Sequence, residues 1–311
     1  MRLFLEDRLP HIRGIQRRYR DDAPAQVVIG SNANAGTVGT ACDWLLRFLV
    51  HPQPDVHVAL MGGAFIPRAG DGYGLDVALF EMYETIGIPI VGVMPPMASA
   101  TTFLGPLPGS AMEPGLLARA CWALALLTEF YRAGPAAAAD GPLGRLDPAR
   151  PLDLLALASP AAIDQLARLR AVLEQCLLPR LATRRGTWAL GPTFTGSRLL
   201  HADADLIAAG LLVELKTSQG RTRADGTRRL ALEKVDLLQL VGYALLDFDD
   251  EYQITELSIF AARFAYFAAW PLADLLNEMA GQEVDLPETR DAFRQLLSPR
   301  SAAARRAQRP H

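Results

Sequence analysis

The chain has 311 residues, half of them hydrophobic and 21% charged, a balance that describes a globular protein and excludes a disordered one. A formal net charge of -3 supplies no global attraction to nucleic acid, so any such contact has to be local. Three cysteines at 42, 121 and 176 form no spaced cluster, which argues against a disulfide framework. The N-terminus is charged at once and no apolar run reaches the ~18 residues of a membrane span, so a soluble, cytoplasmic protein with no membrane contact is expected.

In chain order, the stretch from Gly30 to Thr40 has the glycines of a phosphate-cradling loop but lacks the P-loop lysine, and reads as a helix entry. Thr37 or Thr40 is expected to cap a helix running to about Val50, with Val38, Ala41, Cys42, Leu45 and Leu49 on one face and His51-Pro52 at its end. Residues 51–114 are punctuated by Gly and Pro, and 86–98 reads as a buried irregular connection. A strong amphipathic helix follows at 116–131, then an Ala-, Gly- and Pro-rich segment at 134–151 that is the best candidate for a mobile loop. Another helix covers 160–181, capped by Ser159 and carrying Pro179 near its end.

After Gly191 the pattern changes to strands, predicted at 196–201, 202–208 and 211–217. An arginine-rich loop comes next, with Arg221, Arg223, Arg228 and Arg229, then a helix at 232–247. Strands near 254–260 and 263–270 and helices near 271–280 and 286–297 precede a basic tail with Arg305, Arg306 and Arg309. The chain shows no internal repeat.

All but two of the 31 basic residues are arginine, and one of the two lysines is Lys216. It lies in Val213-Glu214-Leu215-Lys216-Thr217, where the two-residue period puts Leu212, Glu214 and Lys216 on one face and Leu211, Val213 and Leu215 on the other. With Ala209-Gly210 as a tight turn, Ala208 faces Leu211 and Asp205 falls opposite Glu214. Cross-strand neighbours have Cβ atoms roughly 4.5–5.5 Å apart, so two carboxylates there repel unless a cation lies between them. Mg²⁺ suits such a place, because it takes one or two carboxylates and leaves its other positions to water and phosphate. Further on, Gln239 and Tyr243 share one face of the 232–247 helix.

This Asp, Glu-x-Lys, Gln-x-x-x-Tyr series resembles the PD-(D/E)XK nuclease superfamily and, within it, the RecB-type branch. The resemblance covers roughly residues 196–270, with Ala204 in place of the Pro of the family's name. It implies an α/β fold: a PD-(D/E)XK core with a central mixed β-sheet flanked by helices, preceded by a largely helical N-terminal region. Residues 1–190 would wrap a core formed by 191–311 in one unit. It also implies that Asp205, Glu214 and the carbonyl of Leu215 hold Mg²⁺ or Mn²⁺, and that Lys216 positions the attacking water. Upstream, Gly39-Thr40-Ala41-Cys42-Asp43 has Asp where the branch's Gly-Thr-x-x-His start carries His. Asp43 is either a third metal-side carboxylate or the motif is absent. The three scattered cysteines do not supply the four-Cys iron–sulfur site that some RecB-type nucleases carry.

The expected function is metal-dependent hydrolysis of phosphodiester bonds in DNA, with RNA as the other possible substrate and any helicase or further subunit supplied by a separate chain. The first rival is a PD-(D/E)XK-like scaffold that binds nucleic acid or a subunit and cuts nothing. The second is a helix-rich interaction protein whose Asp205 and Glu214 face solvent. Gln239 and Tyr243 read equally as a buried polar pair or as contacts to the metal's water shell or the scissile strand. Arg221, Arg223, Arg228 and Arg229 read as a solvated loop or, preferably, a phosphate clamp. Asp203 and His201 are assigned solvated and structural roles, Asp203 alternatively standing behind the metal ligands.

Overall fold

The computed structural model describes residues 2–66, 73–88, 102–105, 110–134, 141–145 and 153–298. In chain order the elements are α1 (Arg2–Arg8), α2 (Arg13–Asp22), α3 (Ala35–Val50), α4 (His57–Phe65), α5 (Tyr73–Thr85), β1 (Thr102–Leu104), α6 (Pro114–Ala133) and α7 (Pro160–Val172). A π-helical turn, Leu173–Leu177, carries α7 into the short α8 (Leu178–Leu181). Then come β2 (Thr187–Leu190), β3 (Leu206–Ala208), β4 (Leu211–Lys216), β5 (Arg221–Thr222), β6 (Arg228–Arg229), α9 (Lys234–Leu246), β7 (Glu256–Ala261), β8 (Tyr266–Pro271), α10 (Leu272–Ala280) and α11 (Leu286–Leu297).

Among the described residues, six strands form one mixed sheet in the order β1-β2-β3-β4-β7-β8. Each neighbouring pair is antiparallel except β4–β7. A parallel neighbour needs a long crossover, and here it consists of the β5–β6 hairpin and α9. The alternation along β4 divides the core. Leu211, Val213 and Leu215 pack with residues of α3, α6 and α7, whereas Leu212 packs with residues of α1, α2, α9, α10 and α11. The chain is therefore α/β, a mixed six-stranded sheet flanked by helices.

The hairpin register follows the sequence expectation. Ala208 faces Leu211, Ile207 faces Leu212 and Leu206 faces Val213; Asp205 directly precedes β3, and continuing that register by one position sets it against Glu214. Ala209 (φ 48°) and Gly210 (φ 79°) both adopt the left-handed conformation of a primed turn. Gly210 has a further constraint, because a Cβ there would lie 2.8 Å from the carbonyl oxygen of Gln253.

Elsewhere the local chemistry departs from the periodicity. The helix from Ala35 is capped by Asn34, not by Thr37 or Thr40: the Asn34 side chain accepts from the Thr37 amide at 3.1 Å and its carbonyl from the Val38 amide at 2.9 Å. The strand expected at 196–201 is a 3₁₀ turn, Thr195–Arg198. Ser197 Oγ accepts from the Phe194 amide and donates to the Ala202 carbonyl, which satisfies backbone groups that a ladder would otherwise use. β3 is shorter than 202–208 because the preceding residues pair with 191–193 through the Asp203–Thr193 bridge and the Ala204–Pro192 bond. Ala262–Phe264 is likewise a 3₁₀ turn, so β8 begins only at Tyr266. Residues before 190 supply β1 and β2 to the sheet itself, besides the helices around it. The expected connection at 86–98 lies outside the described residues beyond 88, as do most of 134–151 and the basic tail.

Gly210→Ala should cost about 1–3 kcal/mol in urea denaturation, combining left-handed strain with the clash against Gln253.

Candidate active site

Three elements converge on the α9 face of the sheet: the residues entering β3, the C-terminal half of β4, and α9. They enclose a cleft of about 510 Å³ lined by Asp205, Glu214, Gln239 and Tyr243, with Arg132, His201 and Asp203 also on its wall. An apolar side is made by Leu5, Leu200, Val235, Leu238 and Leu246.

Asp205 Oδ2 accepts the Leu215 amide at 2.7 Å, which ties the carboxylate to β4 just beyond the end of β3. A strand residue presents its N–H and C=O to the same side, so the Leu215 carbonyl also faces the Asp205 side. The Leu212 carbonyl, an odd number of residues away, accepts from Ser258 of β7, as this alternation requires. Asp205, Glu214 and the Leu215 carbonyl thus bound one corner of the cleft.

Glu214 is buried, and one of its oxygens, Oε2, has no hydrogen-bond partner. Its other oxygen lies 3.0 Å from Lys216 Nζ. Lys216 in turn lies 3.1 Å from Asp236 and donates to Gln239 Oε1 at 3.1 Å. Gln239 Nε2 donates to the Tyr243 hydroxyl at 2.5 Å, and the Tyr243 ring stacks on Phe194. Asp236, Gln239 and Tyr243 fall at helical spacings of three and four, so one face of α9 meets the Glu214–Lys216 face of β4.

Burial raises the Asp205 pKa well above the usual carboxylate range, and the charges of Glu214 and Asp43 raise it further. Glu214 is raised by burial even against the pull of Lys216. Burial works against the Lys216 ammonium, but Glu214 and Asp236 outweigh it and lift its pKa above the ordinary lysine value. The lysine is therefore charged, while the carboxylates share too little positive charge to be comfortably ionised together.

The remaining expected residues are placed differently. Asp43 on α3 is close enough to raise the pKa values of Asp205 and Glu214, but Arg47, one turn on, holds both of its oxygens at 2.8–3.2 Å. Gly191 makes room for that arginine, since a Cβ there would lie 2.3 Å from Arg47 Nη1. The Gly191 amide donates to the Asp205 carbonyl, so the Asp43–Arg47 pair borders the site. In the β5–β6 hairpin, Arg221 pairs with Glu233 and Arg229 with Asp21, Arg228 reaches the Gly220 carbonyl, and Arg223 is exposed. Asp203 pairs with Arg132 on the rim, and His201 is exposed.

Two site residues had gone unnoticed in the sequence, Asp236 and Arg132. Asp236 carried a signal: Glu233 and Asp236 form a reciprocal capping box at the start of α9, three residues ahead of Gln239. Arg132 carried none, because only the fold brings the end of α6 to residue 203.

Comparisons with family models, with curated proteins and with solved structures find no match to this chain. Among the described residues, no three His, Cys, Asp or Glu side chains gather as a ready-made metal cage, and no helix is long and apolar enough to cross a membrane.

Both carboxyls have folded pKa values above their unfolded values of about 4, so the folded state is favoured below that range and loses stability as pH rises through the folded values. Without divalent ions, Tm should fall as pH rises above about 4. Asp205→Asn should flatten that slope and raise Tm at pH 8 by roughly a few degrees, measured by differential scanning calorimetry.

Proposed function

We propose that the chain is a metal-dependent nuclease built on a PD-(D/E)XK core, hydrolysing phosphodiester bonds in DNA at the cleft between β4 and α9. The observation that carries this reading is the hairpin register, which sets Asp205 against Glu214 and leaves Lys216 on the same face, held by Gln239.

The residues fit a hard divalent cation. Two neighbouring carboxyls with raised pKa values, a buried Glu214 oxygen without a partner and the Leu215 carbonyl are oxygen donors short of positive charge. Mg²⁺ and Mn²⁺ sites of this kind draw only one or two carboxylates from the protein, so a three-acid cage is not required. Asp205, Glu214 and the Leu215 carbonyl would hold the ion. When bound, it would polarise the phosphate and lower the pKa of an attacking water.

The side chains divide the remaining work. Lys216 orients the water and offsets the charge that grows on the phosphate oxygens in the transition state. A compact ammonium suits that task where a planar guanidinium would not, in a chain that uses arginine nearly everywhere else. Gln239 and Tyr243 fix the lysine and line the cleft wall. The hairpin arginines Arg221, Arg223, Arg228 and Arg229 follow directly on β4 and form the phosphate clamp, since exposed ion pairs such as Arg221–Glu233 are weak enough to exchange for phosphate.

Lys216→Ala and Glu214→Gln should each lower Mg²⁺-dependent cleavage of DNA by at least about 10²-fold, with an unchanged far-UV circular dichroism spectrum. Full activity in a folded Lys216→Ala variant would overturn the mechanism. Calorimetric titration should show Mn²⁺ binding that is lost in Asp205→Asn; wild-type protein that binds no Mn²⁺ would favour a scaffold without catalysis.

A further inference from the structure

We propose that Asp236 is a positioning residue: with Gln239 it keeps the Lys216 ammonium in the site when Glu214 turns to a divalent ion. This rests on the nuclease reading above.

A lysine ammonium has three N–H groups and no acceptor. Here three oxygens surround it at nearly equal range: Glu214 Oε1 at 3.0 Å, Asp236 Oδ1 at 3.1 Å and Gln239 Oε1 at 3.1 Å. Glu214 cannot serve lysine and metal with its full charge at once. Its second oxygen is enclosed and without a partner, so engaging an ion draws the carboxylate's charge away from Lys216. If Glu214 were the lysine's only anion, an ammonium in this half-buried place would lose its compensation and swing toward solvent. Asp236 prevents this. It comes from α9, not from the hairpin, and it is anchored independently, since the Glu233 amide donates to its Oδ2. Its position in the first turn of α9 also places it at the positive end of the helix dipole. The second anion therefore belongs to a rigid element that metal binding on the hairpin leaves in place.

The scarcity of lysine provides the test. With Lys216 and Lys234 the only two lysines, a lysine-selectively ¹⁵N-labelled protein gives at most two side-chain ammonium signals, and Lys234, half-buried and paired with Glu6, is the comparison for an ammonium outside the site. In wild-type protein the Lys216 ammonium should exchange slowly with water, and it should stay protected, with a shifted resonance, on addition of Mg²⁺. In Asp236→Asn it should be protected without Mg²⁺ but broaden beyond detection when Mg²⁺ is added. The same variant should lose at least tenfold in kcat with little change in KM or in Mn²⁺ affinity, and Asp236→Glu should restore part of the rate. A Lys216 signal in Asp236→Asn that stays protected with Mg²⁺, or a wild-type kcat, overturns the proposal. So does loss of Mn²⁺ binding in this variant, which would make Asp236 a metal ligand. Wild-type protein that neither binds Mn²⁺ nor cleaves DNA would instead bring down the nuclease reading on which the proposal stands.

Discussion

The repulsion between Asp205 and Glu214 is the constraint around which the rest is arranged. The hairpin register, continued to the fourth residue pair from the Ala209-Gly210 turn, brings the two acids together, and burial leaves their charges unscreened. An uncompensated buried carboxylate costs several kcal/mol, so the surrounding structure has to answer it. It does so with Lys216 on the same strand face, with the Leu215 amide on Asp205, and with Arg47 at the site's border. Two of these come from β4 and one from α3, while α9 supplies Asp236 and Gln239 to hold Lys216, so α3, β4 and α9 must all be in place for the site to exist.

The parts of this arrangement that were legible in sequence are those fixed by short-range geometry. The period of two in residues 211–216 gave the faces of β4, and the Ala209-Gly210 turn gave the register, even though alanine is a poor residue for a primed turn. The 3.6-residue period likewise located α6, α9, α10 and α11 within a residue or two of their ends. Helix α3 was found as well, though its cap was not, because Asn34, Thr37 and Thr40 are all suitable caps and only the backbone's course selects among them.

What stayed hidden depends on contacts distant in sequence. The short helices α1 and α2 are rich in arginine and acquire their apolar role only because Leu5, Leu9, Ile12, Ile15 and Tyr19 close over the α9 side of the sheet. Strands β1 and β2 are three and four residues long, too short for alternation to distinguish them from loop. Asp43 illustrates the same limit in the site. The resemblance makes Asp43 a metal-side acid or the motif absent; in the fold its charge is matched by Arg47 one helical turn away, and burial sets that guanidinium against Gly191.

That burial ties together positions widely separated along the chain. The guanidinium of Arg47 fills the volume where any larger residue at 191 would put its Cβ, and Asp43 depends on the same guanidinium for its compensation. Replacing Gly191 first would expel the arginine and strand a buried acid beside Asp205, whereas replacing Arg47 first would leave the acid exposed to the same fate. The three positions are therefore coupled through one guanidinium: a side chain at 191 and a change at Arg47 both act on the charge of Asp43.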